Sequence, residues 1–432
     1  MVSGLISRAP SALLSLILLG LTALPIGAAP PSVITHTPPA EPAPLATPAR
    51  IYLSGDGETV YIIGAIMEDS FLRFDALLVD APKVKTVFLA SPGGLTLEGR
   101  LIAALVRKRK LNTYVEQYCA SACTQVFVAG RERTIGPEGE LGFHQAVGVD
   151  DQGATSKLAA PTARHLTSLT VFGINGNDTL RLAYEQAGID QPFITKALGR
   201  GHDEMWVPTS TELRQSHVIT RQSDHPELTL PAGSLRHEQV RALVQERPMW
   251  RAAATVLPQA FADGLNGTWR RANTGSEIEP AISSGREIIV LAAWPLLSTA
   301  SNSILDRMLS LYAHAARSQR VRGYPRCKES LEDVAQMEPL DRKFEINEDL
   351  LLVELFSSPI RVPALSAQDA RKIFERDVVL IMTPSYLAFG AKSTSASCRL
   401  GFGIFEAIDQ LPSNKRIKAY RALLSLPDWA DG

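Results

Sequence analysis

Between residues 51 and 130 the order of apolar and polar positions predicts a series of short elements. Residues 59–66 (TVYIIGAI) are rich in β-branched and aromatic side chains, as a strand requires. Residues 72–79 (LRFDALLV) carry apolar groups at helical spacing. Residues 86–90 (TVFLA) form an unbroken apolar run, the pattern of a strand covered on both faces. Leu97, Leu101, Ile102, Leu105 and Val106 then share one helix face, with Glu98, Arg100, Arg107 and Lys108 opposite. Residues 113–115 begin another strand, and 124–130 (TQVFVAG) predict a short buried helix. Strand, crossover helix and strand in this order predict an α/β region with a parallel sheet and packed helices, over 51–221.

Beyond residue 222 the pattern changes. Residues 222–234 (QSDHPELTLPAGS) hold two Pro and a Gly among polar residues and mark a boundary. From 235 to 432 the spacing is mainly helical, over 235–246, 304–316, 367–377 and 415–426, with Pro248, Pro325, Pro363 and Pro412 between. Ile304, Met308, Leu311 and Tyr312 repeat at helical intervals and read as core, and burial is the expectation for Trp250, Trp269 and Trp294. Residues 287–297 (EIIVLAAWPLL) are a buried helix or strand. No phosphate-binding glycine loop and no zinc spacing occurs, so no metal or cofactor is expected. This half carries no legible function.

The N-terminus reads as an export address. Arg8 supplies the positive charge, 12–23 (ALLSLILLGLTA) the apolar stretch, and Pro25, Gly27, Ala28 and Ala29 a small-residue cleavage region, giving a signal peptide over 1–29. The apolar run is short of the roughly 20 residues that span a bilayer. The expected location is therefore periplasmic or secreted, the alternative being an uncleaved N-terminal anchor facing outward. Residues 30–50 are Pro-rich with almost no charge and read as an extended spacer.

Composition narrows the classes further. The chain has 432 residues, enough for two or three domains, with 44 Lys+Arg against 45 Asp+Glu. A formal net charge of −1 gives no electrostatic case for nucleic acid. With 45% hydrophobic and 21% charged residues and no second long apolar run, a polytopic membrane protein is excluded. There are four cysteines, and outside the cytoplasm an even count favours bridges, with three connectivities open. Cys327 with Cys398 is the preferred pair. Cys119 and Cys123, four apart, reach bridging distance only if helical, at about 6 Å.

The candidate chemistry lies in Cys119-Ala120-Ser121-Ala122-Cys123, between a strand and a helix. Two uses of Ser121 are open. It can cap the helix that follows, a common role of Ser. It can also be a nucleophile beside free N–H groups that stabilise an oxyanion. His144 follows 23 residues later in GELGFHQ and could take the hydroxyl proton; His165, His202 and His217 compete for that role. The turn Ser91-Pro92-Gly93-Gly94 can present backbone N–H groups outward.

Four features in order resemble the Clp proteolytic subunit, within the wider Clp/crotonase superfamily, over roughly residues 59–220. They are the opening strand with Met67-Glu68-Asp69, the Ser91-Pro92-Gly93-Gly94 turn, Ser121 between small residues, and Gly142-Phe143-His144-Gln145. The resemblance extends to exported bacterial proteins built on that domain. It implies a Clp/crotonase-like fold, Ser121 as nucleophile, His144 as base, and an oxyanion hole from the backbone N–H groups of Gly94 and Ala122. It also implies a third, acidic member within 202–213 (HDEMWVPTSTEL), where Glu204 is favoured and Asp203 is its rival.

The function expected is an exported serine peptidase acting on a peptide or protein substrate through an acyl-enzyme. A partner ATP-driven unfoldase is not expected outside the cytoplasm, and self-association into a homo-oligomer is compatible with the sequence. A Ser–Lys dyad, as in the signal peptide peptidase branch, fits less well than the ordered His. Two alternatives stand beside the peptidase. One is an inactive scaffold acting as a binding protein, which a Cys119–Cys123 bridge would favour. The other is thioester chemistry of the crotonase kind.

Overall fold

The computed structural model describes residues 48–146, 176–201, 204–223, 228, 230–231, 233–322, 342–379 and 394–426. The expected signal peptide and most of the spacer lie outside the described residues, as does Cys327. The chain divides in space into two units. One draws on residues 40–241 and 265–284, the other on 242–264 and 285–432.

The first unit is mixed α/β. Its elements run β1 Arg50–Leu53, β2 Thr59–Ile63, α1 Ser70–Asp80, β3 Thr86–Ala90, α2 Thr96–Arg109, β4 Asn112–Val115, β5 Tyr118–Ala120, α3 Ala122–Val128, β6 Arg133–Ile135 and β7 Glu140–Gly142. After the residues not described come α4 Gly176–Gln186, α5 Gln191–Leu198, α6 Ser210–Gln215 and β8 Arg221–Gln222. A six-stranded sheet has the order β1-β2-β3-β4-β6-β8, and β5 with β7 forms a separate two-stranded sheet. Among the described strands only β1 is antiparallel to its neighbour; the other strand pairs are parallel.

Burial explains these elements. Every residue of β2 is buried, and so are Val87 to Ala90 of β3, which is why both read as apolar runs. Helix α1 turns Phe74 and Leu78 inward, and α2 buries Ile102, Ala103, Leu105 and Val106. Each large apolar side chain so buried contributes about 1.5–3 kcal/mol. Arg107, Lys108 and Arg109 occupy the last turn of α2, where cations favour the negative end of the helix dipole. The strand expected over 59–66 stops at Ile63, because Gly64 at φ 114° interrupts the ladder. Ala65 and Ile66 continue it as single bridges to Pro48 and Gly94. Pro48, Ala49 and Arg50, assigned to the spacer by composition, belong to this sheet, with Ala49 fully covered.

From residue 235 onward the described chain is helical, in α7 His237–Gln245, α8 Pro248–Val256, α9 Pro258–Asn273, α10 Ile278–Ser298, α11 Asn302–Val321, α12 Arg342–Ser357, α13 Ala367–Phe374, α14 Thr394–Asp409 and α15 Ser413–Leu424. Pro248 and Pro258 stand at helix starts, where a missing N–H costs nothing. The stretch 287–297 lies within α10, which accommodates Pro295 in its interior. Ile304, Met308 and Tyr312 are buried on α11, and Trp250, Trp269 and Trp294 are buried too. The spatial division falls after Arg241 rather than at 222–234, and 265–284 return to the first unit. There the buried Trp269 donates its Nε1–H to the Leu235 carbonyl at 3.0 Å. Among the described residues no helix is long and apolar enough to cross a membrane.

Candidate active site

Strand β5 ends at Ala120 and α3 begins at Ala122, leaving Ser121 alone to make the turn. It does so at φ 53°, ψ −126°, a conformation that costs a residue with a Cβ about 1–3 kcal/mol. An ordinary N-cap residue is extended, and its side chain accepts a hydrogen bond from the first turn. Ser121 is not extended, and its hydroxyl makes no capping bond. The capping use is thereby removed. What remains is a strained strand-to-helix turn, the kind of backbone arrangement a nucleophile elbow uses. Ser121 is half-buried, while Ala120 and Ala122 on either side are fully covered. Its N–H donates to the Gly142 carbonyl at 2.9 Å, and its own carbonyl accepts from the Thr124 N–H at 2.9 Å.

The glycine turn packs directly on this elbow. Ser91 bridges to Cys119: its N–H donates to the Tyr118 carbonyl and its carbonyl accepts from the Ala120 N–H, both at 3.0 Å. Gly93 has φ 104°, and a Cβ there would lie 2.6 Å from the Ser121 Cβ and 2.7 Å from the Ala120 carbonyl oxygen. Gly94 has φ 140°, and its Cβ would fall 2.1 Å from the Ile66 carbonyl oxygen. Neither position admits a side chain. The Gly93 N–H is taken by the buried Ser91 Oγ at 3.1 Å. Among the described residues the Gly94 N–H has no acceptor, and the Ala122 N–H, at the first position of a helix, has none within it. Two main-chain donors, the Gly94 and Ala122 N–H groups, are therefore without an acceptor among the described residues.

The parallel pairing of β5 with β7 brings the backbone of the segment before His144 alongside the elbow. Ala120 faces Gly142, so Ser121 comes level with Phe143, one residue before His144. Phe143 is buried, its ring packed edge-on to Tyr184 and Phe193 and tilted against Trp206. Its N–H and carbonyl both bond to Trp206, at 2.8 and 2.9 Å. His144, half-buried, thus projects from a segment held on two sides. Of the rival histidines, His217 is exposed and pairs with Asp190 at 3.1 Å, while His165 and His202 lie outside the described residues.

Glu204 is exposed, with its carboxylate 3.8 Å from the Arg200 guanidinium. The antiparallel bridge of Phe143 to Trp206 places the Glu204 backbone level with that of Gln145. Asp203 lies outside the described residues. Downstream, α6 begins at Ser210. It is closed by a capping box between Thr209 and Glu212 that holds the Glu212 carboxyl below its usual range, helped by Lys196.

Cys119 and Cys123 form a disulfide with a Cα separation of 5.5 Å. The strand-to-helix turn, not a helix, brings them together. The preferred Cys327–Cys398 pair involves a residue outside those described. Sequence reasoning missed two residues that shape the elbow, namely Thr124 and Tyr184. Only Thr124 carried a signal, three positions after a Ser at a helix start. Among the described residues no cluster of His, Cys, Asp and Glu could hold a metal ion.

No protein-family model matches the chain, and no curated protein matches it. Among solved structures it is similar to a mutant of ClpP1 from Listeria monocytogenes, with 19% identity and a TM-score of 0.31 over 40% of this chain and 94% of that one. Likeness at that level carries no functional weight, and the reading below rests on the geometry.

Proposed function

We propose that this chain is a serine hydrolase, and within that class an exported peptidase. One observation carries the reading: Ser121 holds a strained elbow conformation while its hydroxyl stays out of the cap it could have made. In the reaction, His144 takes the Ser121 proton as Oγ forms a bond to the substrate carbonyl carbon. The carbonyl electron pair moves onto oxygen, which the Gly94 and Ala122 N–H groups receive. Collapse breaks the C–N bond, and the amine departs with the proton from His144. Water then cleaves the ester by the same steps, returning the proton to Ser121. Glu204, exposed and 3.8 Å from the Arg200 guanidinium, and Asp203 both keep their candidacy for the acid that orients His144. Export is supported by the N-terminal pattern, and a disulfide suits an oxidising compartment.

The inactive-scaffold reading draws on that same Cys119–Cys123 bond. The bond spans the elbow with both sulfurs buried, and Ser121 keeps its backbone partners on either side. The disulfide therefore reads as a staple on the elbow rather than a disruption of it. A fluorophosphonate probe separates the two readings. Attack by Ser121 Oγ forms an O–P bond, expels fluoride, and passes the proton to His144. The wild-type chain is expected to label and Ser121→Ala to stay blank with its fold intact. Equal behaviour of the two would leave the scaffold.

A further inference from the structure

The Ser121 carbonyl is gripped from behind by a chain of hydroxyls. Besides the Thr124 N–H, it accepts from the Thr124 Oγ1 at 2.6 Å. A hydroxyl has one proton to give. Having given it to Ser121, Thr124 Oγ1 must accept in its other contact, which is with the Tyr184 hydroxyl at 2.7 Å. Tyr184 therefore donates to Thr124, and Thr124 to Ser121. Tyr184 lies on α4, 60 residues beyond Thr124 and fully buried, and that burial pushes its phenol well above its ordinary range, so it remains a donor at any working pH.

This chain bears on chemistry through the planarity of the peptide bond. The Ser121 carbonyl oxygen and the Ala122 N–H belong to one trans peptide plane and point in opposite directions. Holding the oxygen fixes the direction of the N–H. That N–H is one of the two donors assigned to the oxyanion, and a donor is effective only if it is already aimed when charge develops. The main-chain bond from Thr124 alone would leave the plane free to rock about one contact, whereas a second contact from the side chain, itself anchored by Tyr184, removes that freedom.

We propose that Thr124 and Tyr184 are positioning residues that lock the Ser121–Ala122 peptide plane and so aim the Ala122 N–H at the oxyanion. The inference rests on the serine-hydrolase reading and adds two residues to its machinery. Inactivation of the full chain by a fluorophosphonate tests it, resolved into probe affinity and the rate of the covalent step. Thr124→Val keeps the shape and removes the hydroxyl; it is expected to slow the covalent step about 10- to 100-fold with affinity nearly unchanged. Thr124→Ser retains the hydroxyl and should stay near the wild-type rate. Tyr184→Phe keeps the ring against Phe143 and should cost about three- to tenfold. The double variant Thr124→Val with Tyr184→Phe should be no slower than Thr124→Val alone, because Tyr184 acts through Thr124. The pH profile of the covalent step should not move, since His144 is untouched.

A wild-type covalent rate in both Thr124→Val and Tyr184→Phe, with Ser121→Ala blank, overturns the inference and leaves the hydrolase standing. So does a Thr124→Ser variant as slow as Thr124→Val, which would make the methyl group the cause. If Thr124→Val does not fold, the Tyr184→Phe rate and the Thr124→Ser rate decide. A wild-type chain as blank as Ser121→Ala overturns both this inference and the function it extends.

Discussion

Ser121 and Glu348 are both polar residues set among buried neighbours, and the fold treats them in opposite ways. Glu348 on α12 has no exposed surface, yet every contact it needs is supplied. The Arg286 Nη2 donates to it at 2.8 Å, and the Tyr312 hydroxyl donates to its other oxygen. Arg286, itself buried, is further held by the Asp349 carboxylate at 2.6 Å and the Glu345 carbonyl at 3.0 Å. Burial pushes the Asp349 carboxyl up to about 6 despite that pairing. Ser121 sits in a turn its residue type resists, and among the described residues its hydroxyl is committed to nothing. Buried charge that is fully satisfied reads as architecture. Strain joined to an uncommitted hydroxyl and two uncommitted N–H groups reads as a site.

The sharpest way to break this contrast is to exchange the consequences. Glu348→Ala leaves Arg286 buried without its main partner and should cost about 3–5 kcal/mol in denaturant unfolding, while fluorophosphonate labelling stays at the wild-type rate. A labelling loss with stability unchanged would reverse the roles given to the two regions. Gly93→Ala strikes the other side. Its Cβ has no room against Ser121 and Ala120, and a positive φ adds strain. A loss of about 2–4 kcal/mol is expected, together with loss of labelling. The smallest effect should come from Ser121→Gly, which relieves the positive φ that Ser121→Ala retains. Thermal unfolding should find Ser121→Gly about 1 kcal/mol more stable than Ser121→Ala. Equal stability would mean that the elbow stores no strain.

The sequence made the sheet legible because β2 and β3 are covered on both faces and so appear as apolar runs. It singled out Ser121 and His144 as candidates through the order of motifs along the chain. It could not show the elbow itself. The conformation of Ser121 is imposed by Gly93 against its Cβ and by Gly142 on its N–H, contacts that exist only once the sheets have formed. The Cys119–Cys123 bond was undervalued for the same reason, since a strand-to-helix turn folds residues four apart to 5.5 Å without a helix between them. Tyr184 left no trace, being a single aromatic residue on an amphipathic helix far along the chain. The acid is the element the order of motifs leaves widest open: Glu204 lies at the surface with Arg200 3.8 Å from its carboxylate, and Asp203 lies outside the described residues.

The most direct test is mass spectrometry of the wild-type chain after incubation with a fluorophosphonate, with the modified peptide sequenced. The account predicts a single adduct on Ser121, absent from Ser121→Ala and slowed when His144 is replaced. No adduct, or an adduct on another residue that persists in Ser121→Ala, would contradict it.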